Sequence, residues 1–117
     1  MRVIAKATVA RAMETYGQWK VPLGLWLTTF DRAHLRFESF EQLRNTWVSA
    51  SGWNLDRIPS ARLRGPSVKG PLDIYVFDIK KNECRIVTWV NTRNGTIYIK
   101  DILSHAEYDK WCKTDVR

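Results

Sequence analysis

With two cysteines, two histidines, four prolines and six glycines in 117 residues, this chain lacks the raw material for several classes of chemistry. Cys84 and Cys112 have no CxxC spacing, so neither a redox pair nor a zinc ribbon can be written; they read as buried or bystander thiols in a reducing compartment. His34 and His105 are the only histidines, and no carboxylate cluster has ligand spacing, so no metal site and no cofactor are expected. There is no glycine-rich phosphate loop. No apolar run nears eighteen residues and no long apolar stretch opens the chain, so no membrane partner is expected and the default location is the cytoplasm.

What is abundant is positive charge and tryptophan. Nineteen Lys and Arg against twelve Asp and Glu give a net charge of +7, with six Trp. That balance favours a polyanionic partner, either nucleic acid or an acidic protein. The excess is local: residues 80–100 carry a net +4, residues 53–71 a net +3, and residues 21–52 balance to zero. A chain of this length makes one domain with a small core, here residues 1–117.

The most informative stretch runs from Asn82 to Trp111, NECRIVTWVNTRNGTIYIKDILSHAEYDKW. Asn94-Gly95 is a strong hairpin signal, flanked by β-favouring Arg85–Asn91 and Thr96–Ile102. A two-residue loop at Asn94-Gly95 pairs Arg93 with Thr96, Trp89 with Lys100 and Arg85 with Ser104. Strand alternation then puts Arg85, Val87, Trp89 and Asn91 on one face with Tyr98, Lys100 and Ile102. Ile86, Val90, Ile97 and Ile99 take the other face as core. Ser104-His105-Ala106-Glu107 reads as a capping box. It sets His105 at the first helical position, with Tyr108 three residues on and on the same side. His105, Tyr108, Arg85 and Lys100 are therefore expected to converge where hairpin meets helix.

Upstream, Arg2–Ala5 reads as a short strand. Val9, Ala12, Met13 and Tyr16 mark an amphipathic helix ending at Gly17, and Leu23, Trp26, Leu27 and Phe30 mark a second, begun near Pro22. Ser39 to Gln42 offers another capping box, opening a helix with Phe40, Leu43 and Trp47 inward. Residues 53–71 hold three of the four prolines and read as a basic loop, either an RNA- or ribosome-contacting arm or an insert without fixed structure. Ile74–Ile79 reads as a strand.

The segment YIKDILSHAEYDKW, with Asn82-x-x-Arg85, Tyr98-Ile99-Lys100 and His105-Ala106-Glu107-Tyr108-Asp109, resembles the C-terminal signature of HigB-type toxins of the RelE-like superfamily. The likeness is strong after residue 74 and looser before it, and Lys100 stands where the family more often has Arg. It implies an α+β fold: a small antiparallel-rich sheet, N-terminal helices on one face and a C-terminal helix. It also implies a metal-independent endoribonuclease that cuts mRNA on translating ribosomes, restrained by a helix-turn-helix antitoxin. The products are expected to be a cyclic phosphate and a 5′-OH.

Such chemistry needs a proton acceptor for the 2′-OH, a donor for the leaving 5′-oxygen, and cations for the developing phosphorane charge. Histidine titrates near neutrality, ~6.5, and suits either proton role. The catalytic candidates are His105, Arg85, Tyr108 and Lys100, with Arg85 suited to bidentate phosphate binding. Lys80, Lys81, Arg93, Tyr98 and Lys110 are candidates for RNA binding. For each there is a plainer alternative: His105 in a local network, Arg85 paired with Glu107 or Asp109, Tyr108 as a packing aromatic. The rival function is a basic RNA- or ribosome-binding module that blocks translation without cutting.

Overall fold

A computed structural model describes residues 1–117. Its core is a five-stranded sheet of order β1-β5-β4-β3-β2, formed by β1 (Arg2–Ile4), β2 (Leu55–Ile58), β3 (Ile74–Ile79), β4 (Cys84–Asn91) and β5 (Thr96–Ser104). Neighbours are antiparallel except β1, which lies parallel to β5 at the edge. The helices are α1 (Lys6–Thr15), α2 (Lys20–Phe30), α3 (Phe40–Ser51) and α4 (His105–Asp115). This is the expected α+β architecture.

The two faces of the sheet carry separate cores. On one, α1, α2 and α3 set Val9, Leu23, Trp26, Phe30, Leu43 and Trp47 against Phe77, Ile86, Val90, Ile97 and Ile99. Phe77 is the hub: its ring centroid lies 5.3 Å from Trp26, 5.1 Å from Phe30 and 6.2 Å from Trp47. Edge-on and tilted packing of this kind adds to the area term that drives burial. On the other face a smaller cluster joins Ile58, Leu63, Ile74, Val76, Val87 and Trp111 of α4.

Several local readings change. The hairpin loop has four residues, because Asn91 rather than Arg93 pairs with Thr96. The Asn91 side chain is the reason: its Oδ1 accepts from the backbone N–H groups of Arg93 and Asn94, at 3.1 and 3.4 Å, and organises a longer turn. Trp89 therefore faces Tyr98, not Lys100. A bulge follows: Thr88 pairs with Ile99 but Val87 with Asp101, leaving Lys100 as the extra residue. Past it, Ile102 turns to the helical core and Leu103 to the α4 side, the reverse of strict alternation. The first strand stops at Ile4, because Ala5 adopts the left-handed region with φ 71.

The stretch 53–71 is not simply a loop. It contains β2, an edge strand with buried Leu55 and Ile58, followed by single 3₁₀ turns at Ser60–Arg62 and Gly65–Ser67. The segment returns across the α4 face and is anchored by buried Leu63 and Ser67. Leu63 bridges to Val116, and Arg64 N–H donates to the Asp115 carbonyl. At α3, Ser39 caps Gln42 as expected, but the Gln42 amide oxygen accepts from Glu38 N–H, one residue earlier than a capping box would have it.

Candidate functional site

The capping box at the start of α4 forms as its residues dictate. Ser104 Oγ accepts from Glu107 N–H at 3.2 Å, and Glu107 Oε1 accepts from Ser104 N–H at 2.9 Å. His105 N–H donates to the Glu83 carbonyl at 3.1 Å, tying the helix start to the β3–β4 turn. With its entry fixed, α4 lies across β4 and β5 on the face that carries Arg85.

Arg85 meets Tyr108 directly, its guanidinium carbon 5.1 Å from the ring centroid. The Arg85 side chain is only 12% exposed, and Nε lies 3.1 Å from Oδ1 of Asp78, its cross-strand partner. That pair lacks hydrogen-bond alignment: Asp78 Oδ1 and Arg85 Nη1 are both buried without a hydrogen-bond partner. Asp78 was invisible as a partner in the sequence, where Glu107 and Asp109 were the obvious candidates. The signal available was register, since residue 78 faces residue 85 once the β3–β4 turn is placed. Burial pushes the Asp78 carboxyl up to about 6 against the opposing pull of Arg85, and nearby Asp56 adds to the rise. Tyr108 is pushed well above the ordinary phenol range, first by burial and then by the Cys112 thiol beside it, so it stays a protonated donor. Burial likewise pushes the Cys84 thiol up to about 12, which leaves it inert.

His105 stands at the outer edge of this group, half exposed, with Nε2 3.4 Å from Asp109 Oδ2 one turn along the helix. It shares the helix side of Tyr108, because residues three apart are neighbours. Lys100 lies further along. Its ammonium, 13% exposed at the side chain, bonds Asp101 at 2.9 Å and sits over the rings of Trp111, at 5.7 Å, and Trp89, at 6.0 Å. Tyr108 and Trp111 are 5.7 Å apart, centroid to centroid. The expected convergence thus becomes a row: Arg85 on Tyr108, then Trp111, then Lys100, with His105 flanking the first pair.

The RNA-binding candidates are dispersed. Lys80 and Lys81 form the β3–β4 turn at φ 52 and 62, and Lys80 reaches Glu83 at 3.9 Å. Arg93 is in the β4–β5 turn at the opposite end of β4, roughly 25 Å away at ~3.3 Å per strand residue. Lys110 is exposed on α4 beside a groove lined by Asp101, Leu103 and Trp111. Tyr98 pairs with Trp89 across the hairpin, and Lys69 bridges them, 5.1 and 5.4 Å from the two centroids. Lys69 was not singled out in the sequence; its place follows from the returning segment 59–73. No three His, Cys, Asp or Glu side chains gather as a metal site, and no helix is long and apolar enough to cross a membrane.

Residues 64–111, from the returning segment to Trp111 of α4, match the family described as HigB_toxin, the RelE-like toxic component of a toxin–antitoxin system. Over this stretch the chain is similar to HigB-type toxins. It is also 42% identical over 36 residues to an mRNA interferase HigB of Escherichia coli O6:H1 (strain CFT073), an alignment covering 31% of this chain and 35% of that protein. The chain thus spans about a third of the length of the curated relative it matches. The matched region holds every candidate on β4, β5 and the first two turns of α4, while β1 and the three N-terminal helices lie outside it.

Proposed function

We propose that this HigB-type chain is the toxin of a toxin–antitoxin pair and an endoribonuclease that cleaves mRNA on translating ribosomes, without a metal ion. The observation that carries the reading is the Arg85–Tyr108 stack beside His105, set within the matched residues. In this mechanism a ribose 2′-OH attacks the adjacent phosphorus, its proton passes to a base, and the 5′-oxygen leaves with a proton from an acid. The products are a 2′,3′-cyclic phosphate and a 5′-OH. His105 serves one proton role, and Tyr108, kept protonated by burial, donates to a phosphate oxygen or the leaving group. Arg85 supplies charge to the phosphorane from a site where Asp78 holds its Nε side and Nη1 is free of protein partners. Lys100 lies enclosed between Trp89 and Trp111 and acts on the phosphate through its field. The expected partners are mRNA, the ribosome and a helix-turn-helix antitoxin.

The test maps new RNA 5′ ends by primer extension in reconstituted translation, with the native chain, His105→Ala, and the same mRNA without ribosomes. Cuts that need ribosomes and vanish in the variant uphold the proposal. Translation arrest on intact mRNA would make the protein a binder that blocks translation instead.

A further inference from the structure

The largest cleft in the molecule, about 810 Å³, lies away from α4, at the β1 edge of the sheet where β5 leaves its turn. Tyr98, Arg2 and Asn94 line it from the sheet, and Arg36 and Asp31 from the connection between α2 and α3. Arg36 lies flat over the turn because residue 95 is glycine. A Cβ there would come within 2.6 Å of Arg36 Nη1, and the residue's φ of 68 suits glycine in any case. The guanidinium is held by the carbonyl of Leu35, at 3.0 Å, while Arg2 N–H bonds the carbonyl of Gly95 at 2.7 Å. The terminal amine of Met1 donates to the carbonyls of Arg32 and Leu35, which fixes the connection that carries Arg36. Asp31 is already engaged by Lys6 at 3.2 Å, so it does not cancel the two arginines. None of these arginines belongs to the matched residues 64–111.

We infer that this cleft is a subsite for single-stranded RNA, in which one base stacks on Tyr98 and its phosphate lies between Arg2 and Arg36. An aromatic wall beside two guanidinium groups is the chemistry that takes a nucleotide irrespective of base, and the volume fits one. Lys69, exposed and resting on Tyr98 and Trp89, holds that place weakly and gives way to a base, or takes the next phosphate. Tyr98 and Ser104, at the start of α4, are six strand residues apart, roughly 20 Å at ~3.3 Å each, so an RNA strand would pass from the Arg85–Tyr108 pair to the cleft in about three nucleotides. The inference rests on the reading that the protein acts on RNA, but its test does not need cleavage.

A fluorescein-labelled 2′-O-methyl octamer, which cannot form the cyclic phosphate, is titrated with the native protein, and anisotropy is read at 50 and 200 mM salt. Tyr98→Ala is expected to weaken binding about 5- to 50-fold and Tyr98→Phe less than about twofold, as stacking requires. Arg36→Ala, an exposed change that leaves the core intact, should weaken binding and reduce the salt slope by about 0.7. Arg11→Ala, on the exposed side of α1, should bind as native. Thermal melting of each variant separates lost binding from lost folding. Native affinity in both Arg36→Ala and Tyr98→Ala overturns the inference, whatever the protein does to mRNA. So does failure of the native protein to bind the octamer, or tighter binding of a Glu-rich peptide at Arg36. Binding with these dependences but no mRNA cleavage would support the subsite while removing the nuclease reading.

Discussion

Replacing Ser67 by alanine deletes one oxygen atom at the point where the returning segment meets α4. The residue is fully buried. Its hydroxyl donates to Asp115 Oδ2 at 2.6 Å and accepts from Trp111 Nε1 at 3.0 Å. The Trp89 indole N–H bonds the Ser67 carbonyl, which the substitution keeps. Losing the hydroxyl leaves the buried Trp111 N–H without an acceptor, at about 1–3 kcal/mol. Asp115 retains Thr114 Oγ1 at 2.7 Å and some solvent, so its share is about 0.5–1 kcal/mol. Together these give roughly 2–3 kcal/mol and a Tm lowered by about 8–12 °C for a chain of this length.

The deficit has a pH signature. The Ser67 hydrogen bond first, and Thr114 second, hold the Asp115 carboxyl below its ordinary value of 3.8. A depressed acid contributes stability that is present above its unfolded value and is lost as pH falls through the folded one. The gap between native and Ser67→Ala should therefore be widest near pH 7 and narrow below about pH 4. Circular dichroism melts at pH 7 and pH 3 read both effects, and a double-mutant cycle with Trp111→Phe should show a coupling of about 1 kcal/mol. A pH 7 Tm within about 2 °C of native would refute the idea that this serine holds α4.

Asp78 carries the opposite sign. Its carboxyl, raised to about 6, favours the folded state when protonated, so stability falls by at most about 3 kcal/mol as pH rises from 4 to 7. Urea titrations should show that slope in the native chain and a flatter one in Asp78→Asn. Phe77→Ala, at the hub of the helical core, should cost about 3–5 kcal/mol and be visible as early loss of cooperative melting. In the primer-extension assay, Tyr108→Phe should keep the ring under Arg85 and a near-native Tm yet lower cleavage by about 10²-fold or more. If Tyr108→Phe cuts at the native rate, the hydroxyl has no proton role.

The elements were largely legible because their signals are local. The Ile74–Ile79 strand, the Ser104 cap and the helical stripes around Trp26 and Trp47 all form where spacing and cap chemistry put them. What failed was counting. Asn94-Gly95 marks the turn but not its length, since the Asn91 side chain stretches it to four residues. Nothing near Lys100 announces a bulge. The site suffered in proportion: Arg85 and Tyr108 meet, but Lys100 sits with Trp89 and Trp111. The segment 53–71 misled because proline and glycine punctuate its turns while Leu55, Ile58 and Leu63, too sparse to show a period, do the anchoring.

The extra residue at Lys100 also shows what the path to the last helix can absorb. A strand is a two-beat rhythm, and one added beat inverts everything downstream of it unless a bulge takes it up. The first half of β5 is phased by the hairpin turn, the second half by the cap it delivers to α4, and the bulge is the only joint between these two phases. Deleting Lys100 would therefore straighten the ladder, leaving Asp101, Ile102 and Leu103 on their present faces and against their present partners. The final helix would then leave the sheet with its tryptophan facing as it does now. Loss of Lys100 should therefore be tolerated far better than loss of Ile102, which leaves Asp101 or Leu103 to take its place in the helical layer opposite Ile86.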